Sequence, residues 1–238
     1  DKHKVRITRI ITSGTVFILF LYIFLGGDSL AEILIDTLFS FQFMPSVLVL
    51  KSGSGLWRWT GMIFILFTGV IFGRVYCSFI CPLGVLQDIF IRLSKIAGRK
   101  SRAVIKPYPR IHYGIAAVTM IAFLGGSMDM AGLLDPFSLF GRTAAHLFKP
   151  AVLAIHNMAV YLLEPLDIYL LSFKKSHFLP VSIYAITVCS FMVVFFFSFF
   201  HGRLYCNTIC PVGAILGLLS GRALFRLKLD RTTCISCG

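Results

Sequence analysis

The chain has 238 residues, of which 57% are hydrophobic and only 14% charged, with a mean hydropathy of +0.85; this is too apolar for an ordinary soluble domain and argues for a polytopic membrane protein. The formal net charge of +13 is not read as a nucleic-acid surface, because Lys and Arg in a membrane protein gather in the loops that stay in the cytoplasm. Of 7 cysteines, all but Cys189 fall in short-spaced pairs, which suit metal ligation on a reducing side better than disulfides.

A basic start (Lys2, Lys4, Arg6, Arg9) runs into an apolar segment over about 7–25, enough at ~1.5 Å per residue to cross a ~30 Å hydrocarbon core. Residues 28–50 carry Asp28, Glu32 and Asp36 at helical spacing and read as a helix at the outer interface, closed by Pro45 and the Gly53-Ser54-Gly55 turn. Trp57 and Trp59 are interfacial aromatics at the start of a second span, about 57–72.

A string then appears that returns later in the chain. Gly73-Arg74-Val75-Tyr76-Cys77-Ser78-Phe79-Ile80-Cys81-Pro82-Leu83-Gly84 is matched, 129 positions on, by Gly202-Arg203-Leu204-Tyr205-Cys206-Asn207-Thr208-Ile209-Cys210-Pro211-Val212-Gly213. Each copy follows a long apolar run and leads into a shorter one. After the first copy comes an amphipathic helix, 85–96, and a basic run with Arg92, Lys95, Arg99, Lys100, Arg102, Lys106 and Arg110 and no acid, a cytoplasmic signature. A third span covers about 111–126, and a fourth, rich in Phe and Val, about 179–200.

Between them, 128–177 is ambiguous: 151–171 is apolar but holds His156, Asn157, Glu164, Pro165 and Asp167. If it crossed, the two cysteine motifs would lie on opposite faces. If it lies on the outer surface or re-enters, one side holds 17 of the 23 Lys and Arg with 3 of the 10 acids, for side charges of +14 and −1, and the positive-inside rule holds at every loop. The expected architecture is therefore an all-α membrane domain, 1–229, with four transmembrane helices, interfacial or re-entrant helices at 28–50 and 128–177, and an internal two-fold repeat of span, cysteine motif and short helix. It sits in a bacterial cytoplasmic membrane with the motifs on the cytoplasmic side.

Cys-x-x-x-Cys on a helix puts two sulfurs on one face, and Pro after the second suits the first position of the next helix. The same C-x3-C-P forms the second half of the ferredoxin run that wraps iron–sulfur clusters. The first half is missing in both copies, where Arg74 and Arg203 stand three residues before the first cysteine. Each copy thus offers two thiolates, and a [4Fe-4S] site needs Cys77, Cys81, Cys206 and Cys210 to converge, with Arg74 and Arg203 offsetting its negative charge and Gly73 and Gly202 allowing close backbone approach. The alternatives are paired buried thiols or a redox-active disulfide. Cys234-x-x-Cys237-Gly reads as the opening of a conventional ferredoxin run, so 230–238 is expected to begin a truncated ferredoxin-like domain; taken alone it also suits zinc or a dithiol. The chain begins with Asp and ends inside that motif, as a piece of a longer protein is expected to do.

His112 and His201 fall at inner span ends, but a bis-His haem is not expected there. Asp135, Arg142, His146 and His156 form the most polar group near the outer face and are a candidate quinol site, set against a plain Asp-Pro turn with an N-cap and ion pair. No span has a charge well inside it, which counts against a transporter.

The paired G-R-x-Y-C-x-x-I-C-P motifs on a four-span core, followed by a ferredoxin-like start, resemble the NapH/NosR-type family of membrane iron–sulfur proteins, which includes copper-oxidase assembly factors of the CcoG kind. The resemblance implies electron transfer between the quinone pool or a cytoplasmic donor and a redox partner, as in a quinol dehydrogenase subunit. The alternative it carries is an assembly factor that reduces a metal or partner protein.

Overall fold

A computed structural model of the chain describes residues 2–26, 59–98, 109–125, 132–163, 180–221 and 223–225. The interfacial segment expected at 28–50, most of the central basic run, and Cys234 and Cys237 lie outside the described residues. The described chain is helical, with no strand.

The first helix, α1, is Lys2–Leu25, followed by α2 Trp59–Phe72, the one-turn α3 Tyr76–Phe79, α4 Pro82–Ile96 and α5 Pro109–Leu124. The middle of the chain forms α6 Pro136–Thr143, a π-helical turn Ala144–Phe148 and α7 Lys149–Leu163. The last group is α8 Val181–His201, the short α9 Leu204–Thr208 and α10 Pro211–Ser220. Among the described residues two helices are long and apolar enough to cross a membrane, Ile7–Leu25 and Val181–His201. The helices at 59–72 and 109–124 occupy the expected positions of the second and third spans but have 14 and 16 residues, less than the ~20 that a crossing takes.

Packing follows the helical period. Phe17, Phe20 and Phe24 share one face of α1 and meet Phe137 and Phe140 of α6 at ring-centroid distances of 5.5–6.0 Å, mostly edge to face. On the other side of α1, Ile11 and Ile18 are exposed. Phe90 of α4 sits 5.0 Å from Phe195 and 5.7 Å from Phe191 of α8.

The helices after the motifs pack crosswise. α4 lies against α1 and against α8, the helix that precedes the other motif, while α10 lies against α5 and α2. Each post-motif helix is thus clasped by the pre-motif helix of the other copy. α6 and the π-helical turn after it pack against α1, α4 and α8, so the 136–148 segment lies against the helix that Cys81 caps.

Candidate metal centre

The two motifs take the same local path. Gly73 and Gly202 follow the ends of α2 and α8 with φ of 72° and 77°, a left-handed conformation that any other residue adopts at a cost. One helical turn then carries the first cysteine. Cys81 and Cys210 are in extended conformation at the N-caps of α4 and α10, each followed by Pro at the first helical position, where the missing N–H is no loss.

This path aims the four sulfurs inward. Cys81, Cys206 and Cys210 are buried, Cys77 nearly so, and none is in a disulfide. Cys77 lies within electrostatic reach of Cys81, Cys206 and Cys210. Arg74 and Arg203 act on the same group and reach across it reciprocally. Arg203 Nη1 donates to Ser78 Oγ at 2.7 Å, and Arg74 Nη1 donates to Asn207 Oδ1. Ser78 and Asn207 hold the same place in the motif, directly after its first cysteine. Two guanidiniums therefore tie the halves together beside the sulfurs.

Burial pushes the Cys77 thiol up to about 12, with Cys206 adding to it and the two arginines opposing. Burial also pushes Cys81 well above the usual thiol range. Burial thus favours the protonated thiol at Cys77 and Cys81, and a metal bound by them must displace those protons. Gly213 N–H points at Cys210 Sγ at 3.4 Å, a donor that favours the thiolate.

Among the described residues no three His, Cys, Asp or Glu side chains crowd closely enough to hold a single ion. The four thiols act electrostatically on one another, with Arg74 and Arg203 acting on Cys77 and Cys206 and amide N–H groups facing sulfur; thiolate donors with such neighbours are the chemistry that suits an iron–sulfur cluster.

Three residues of this environment carry no motif signal. Gln87 is fully buried, and Cys206 Sγ lies 3.4 Å from its Oε1. Asp88 accepts from Arg203 Nε at 2.9 Å and Nη2 at 2.6 Å, and its Oδ2 also accepts from Arg9 Nη2 at 3.4 Å. His112 is buried, and its Nε2 lies 3.1 Å from the Cys210 carbonyl, so this ring is committed to the second motif. At the places matching Gln87 and Asp88, 129 residues on, stand Leu216 and Gly217, and the Arg74 guanidinium fills the room that Gly217 leaves. The polar support of the site is one-sided.

The candidate quinol residues divide. Arg142 and His146 line one cleft of about 310 Å³ with Phe24, Phe137, Ser138, Gly141 and Ala145; Asp135 and His156 are not among its walls. Asp135 is the N-cap of α6, its Oδ2 accepting from Ser138 N at 2.7 Å. Arg142 donates to the carbonyls of Gly132 and Leu133 at 2.9 and 3.2 Å. The segment is also no longer remote from the cysteines, because the Tyr205 hydroxyl donates to Leu134 O at 3.1 Å.

Burial raises the Asp135 carboxyl to about 6 from 3.8, against the Ser138 donors. The folded chain then holds this proton more tightly than the unfolded chain, so the contribution is fully present below about pH 4 and is lost as pH rises through about 6. Thermal unfolding in detergent is expected to give a midpoint that falls between pH 4.5 and 7, and a fall that flattens in Asp135→Asn.

Comparison with known proteins agrees with this anatomy. A 4Fe-4S binding domain family matches twice, at residues 55–100 and 185–232, one match around each motif. The chain is 24% identical over 179 residues to the ferredoxin-type protein NapH of Haemophilus influenzae, covering 74% of this chain and 48% of that one. It is 25% identical over 173 residues to the putative electron transport protein YccM of Escherichia coli, covering 69% and 39%. The chain thus spans about half or less of the length of these relatives. No solved structure matches it.

Proposed function

We propose that this chain, which matches a 4Fe-4S binding domain family once in each half, is the membrane core of an electron-transfer protein built around one composite [4Fe-4S] centre. Cys77 and Cys81 from one motif and Cys206 and Cys210 from the other are its ligands. The observation that carries this reading is the reciprocal Arg74–Asn207 and Arg203–Ser78 bridging beside four free thiols. Those bonds serve a shared site and would be idle in two separate ones.

A [4Fe-4S] cluster bound there supplies one-electron chemistry. The chain's own groups set its surroundings. The guanidiniums offset the charge of the thiolates, Asp88 holds Arg203 in place by a two-point contact, and the buried aliphatic wall of Leu83, Val212 and Leu216 keeps water away.

The fuller architecture belongs to the same proposal. Four spans, with the helices at 59–72 and 109–124 joining the two long ones, arrange span, motif and short helix as an internal repeat, and the motifs face the cytoplasm, a placement the charge distribution supports. The exposed apolar faces at Ile63, Phe64 and Phe67 of α2 and Val193 and Phe196 of α8 suit lipid. Cys234 and Cys237 open a second site, and the electrons pass between the quinone pool or a cytoplasmic donor and a partner redox protein. The cleft holding Arg142 and His146 has the apolar wall and paired polar groups that a quinol takes; burial keeps His146 more readily neutral than usual, with Arg142 adding to the effect, as a proton acceptor must be.

The test is an anaerobic redox titration of the full-length protein followed by EPR, with iron and sulfide analysis, with and without a quinol analogue. Iron and acid-labile sulfide in equal amounts, and a reducible signal perturbed by the analogue, are expected. Protein without iron and sulfide sinks the cluster. A signal indifferent to the analogue sinks the quinol link alone.

A further inference from the structure

Gln87 is the one wholly buried amide in the described helices around the cysteines. Its Oε1 faces Cys206 Sγ at 3.4 Å, and its Nε2 has no hydrogen-bond partner among the described residues. A buried amide donor left unpaired is costly, and natural cores rarely keep one without a use. Packing does not demand it. The matching position in the second copy is Leu216, equally buried, so the same local fold accepts an apolar side chain there.

The side chain leaves its amide within reach of one sulfur only, that of Cys206. A metal-bound sulfur can only accept a hydrogen bond, so an amide oxygen facing it would set two electron-rich atoms against each other. A half-turn of the carboxamide exchanges oxygen for nitrogen within the same outline, so no neighbour has to move.

We propose that Gln87 is a positioning residue for the metal centre: its Nε2–H donates to the Cys206 sulfur in the loaded protein and holds the reduction potential up. This rests on the composite-cluster reading. An N–H dipole aimed at a ligand sulfur stabilises the reduced, more negative state, and hydrogen bonds to the sulfurs are among the main controls of such potentials. Only the Cys206 side receives this side-chain donor, since the second copy offers Leu216.

The experiment compares full-length wild type with Gln87→Leu, both purified anaerobically, by iron and sulfide analysis and EPR-monitored titration. Gln87→Leu is expected to keep its cluster and to titrate at a more negative midpoint. Poised at the wild-type midpoint, its ratio of oxidised to reduced cluster rises about threefold to tenfold, a tenfold change being 59 mV for one electron. A full cluster with an unshifted or more positive midpoint overturns the proposal and leaves the composite site standing. Wild type without any cluster overturns both. If Gln87→Leu fails to accumulate, Gln87→Met, of similar length and without a donor, carries the same expectation. Pulsed EPR of wild type labelled with ¹⁵N-glutamine gives an independent reading: a weak ¹⁵N coupling to the reduced centre supports the assignment, and its absence rejects it.

Discussion

Cys77→Ala alone, and Cys206→Ala alone, are each expected to remove nearly all of the cluster bound by the paired motifs, where independent sites would lose half with each. The reason is composition. Each motif contributes two sulfurs, and the residues three places before Cys77 and Cys206, where a ferredoxin run would have another cysteine, are Arg74 and Arg203. Those arginines reach across to the opposite motif. Neither motif can therefore complete a four-thiolate shell by itself, and taking one sulfur from either leaves three. Iron and sulfide per chain, measured on the two single variants in a background where Cys234 and Cys237 are serine, check it directly. Half-loss in each variant would divide the site in two.

The cysteine motifs, their arginines and the Pro-led helices after them were legible because each depends on local chemistry: a repeated spacing, a charge beside it, a residue without an N–H at a helix start. The pairing of α4 with α8 and of α10 with α2 was not legible, since nothing local states which helix a neighbour will choose. Gln87 and Asp88 were missed for a related reason. In one copy they look like the polar edge of an amphipathic helix, and their role shows only when they are set against Leu216 and Gly217 at the same place in the other. His112 stood out only as a histidine at an inner span end, because such a residue has the same sequence signature whether it meets water or the Cys210 carbonyl. The 128–177 segment was read by charge as lying on the outer surface or re-entering, but charge reports on loops and says little about the apolar contacts of Phe137 and Phe140, which draw α6 against α1. There the plain N-cap reading of Asp135 describes what the side chain does, while the ion pair weighed beside it gives way to Arg142 donating to backbone carbonyls.

The final glycine of each motif is expected to be as sensitive as the cysteines, though it ligates nothing. Gly84 and Gly213 lie in the first turn of α4 and α10, and a Cβ on either would stand 2.1 Å from Cys77 O or 2.2 Å from Cys206 O. The obstructing atom is backbone in both cases, belonging to the residue that carries the first sulfur, so it cannot swing aside as a side chain would. Relief requires the short helix with Cys77 or Cys206 to move off the helix with Cys81 or Cys210, which separates the two sulfurs of one motif. Overpacking of a close-packed core typically costs ~1–3 kcal/mol, occasionally more, and a clash against backbone belongs at or above the top of that range. In an exposed helix interior the same Gly→Ala change stabilises by about 1 kcal/mol, so even the sign reports on the close approach. Gly84→Ala and Gly213→Ala are each expected to lower the thermal midpoint in detergent and to lose bound iron, whereas Gly114→Ala in α5, where an added Cβ meets nothing within 4 Å, is expected to do neither. Full iron content in Gly84→Ala would mean that the two sulfurs of a motif need not be held at this separation, and the composite site would lose the geometric constraint on which it stands.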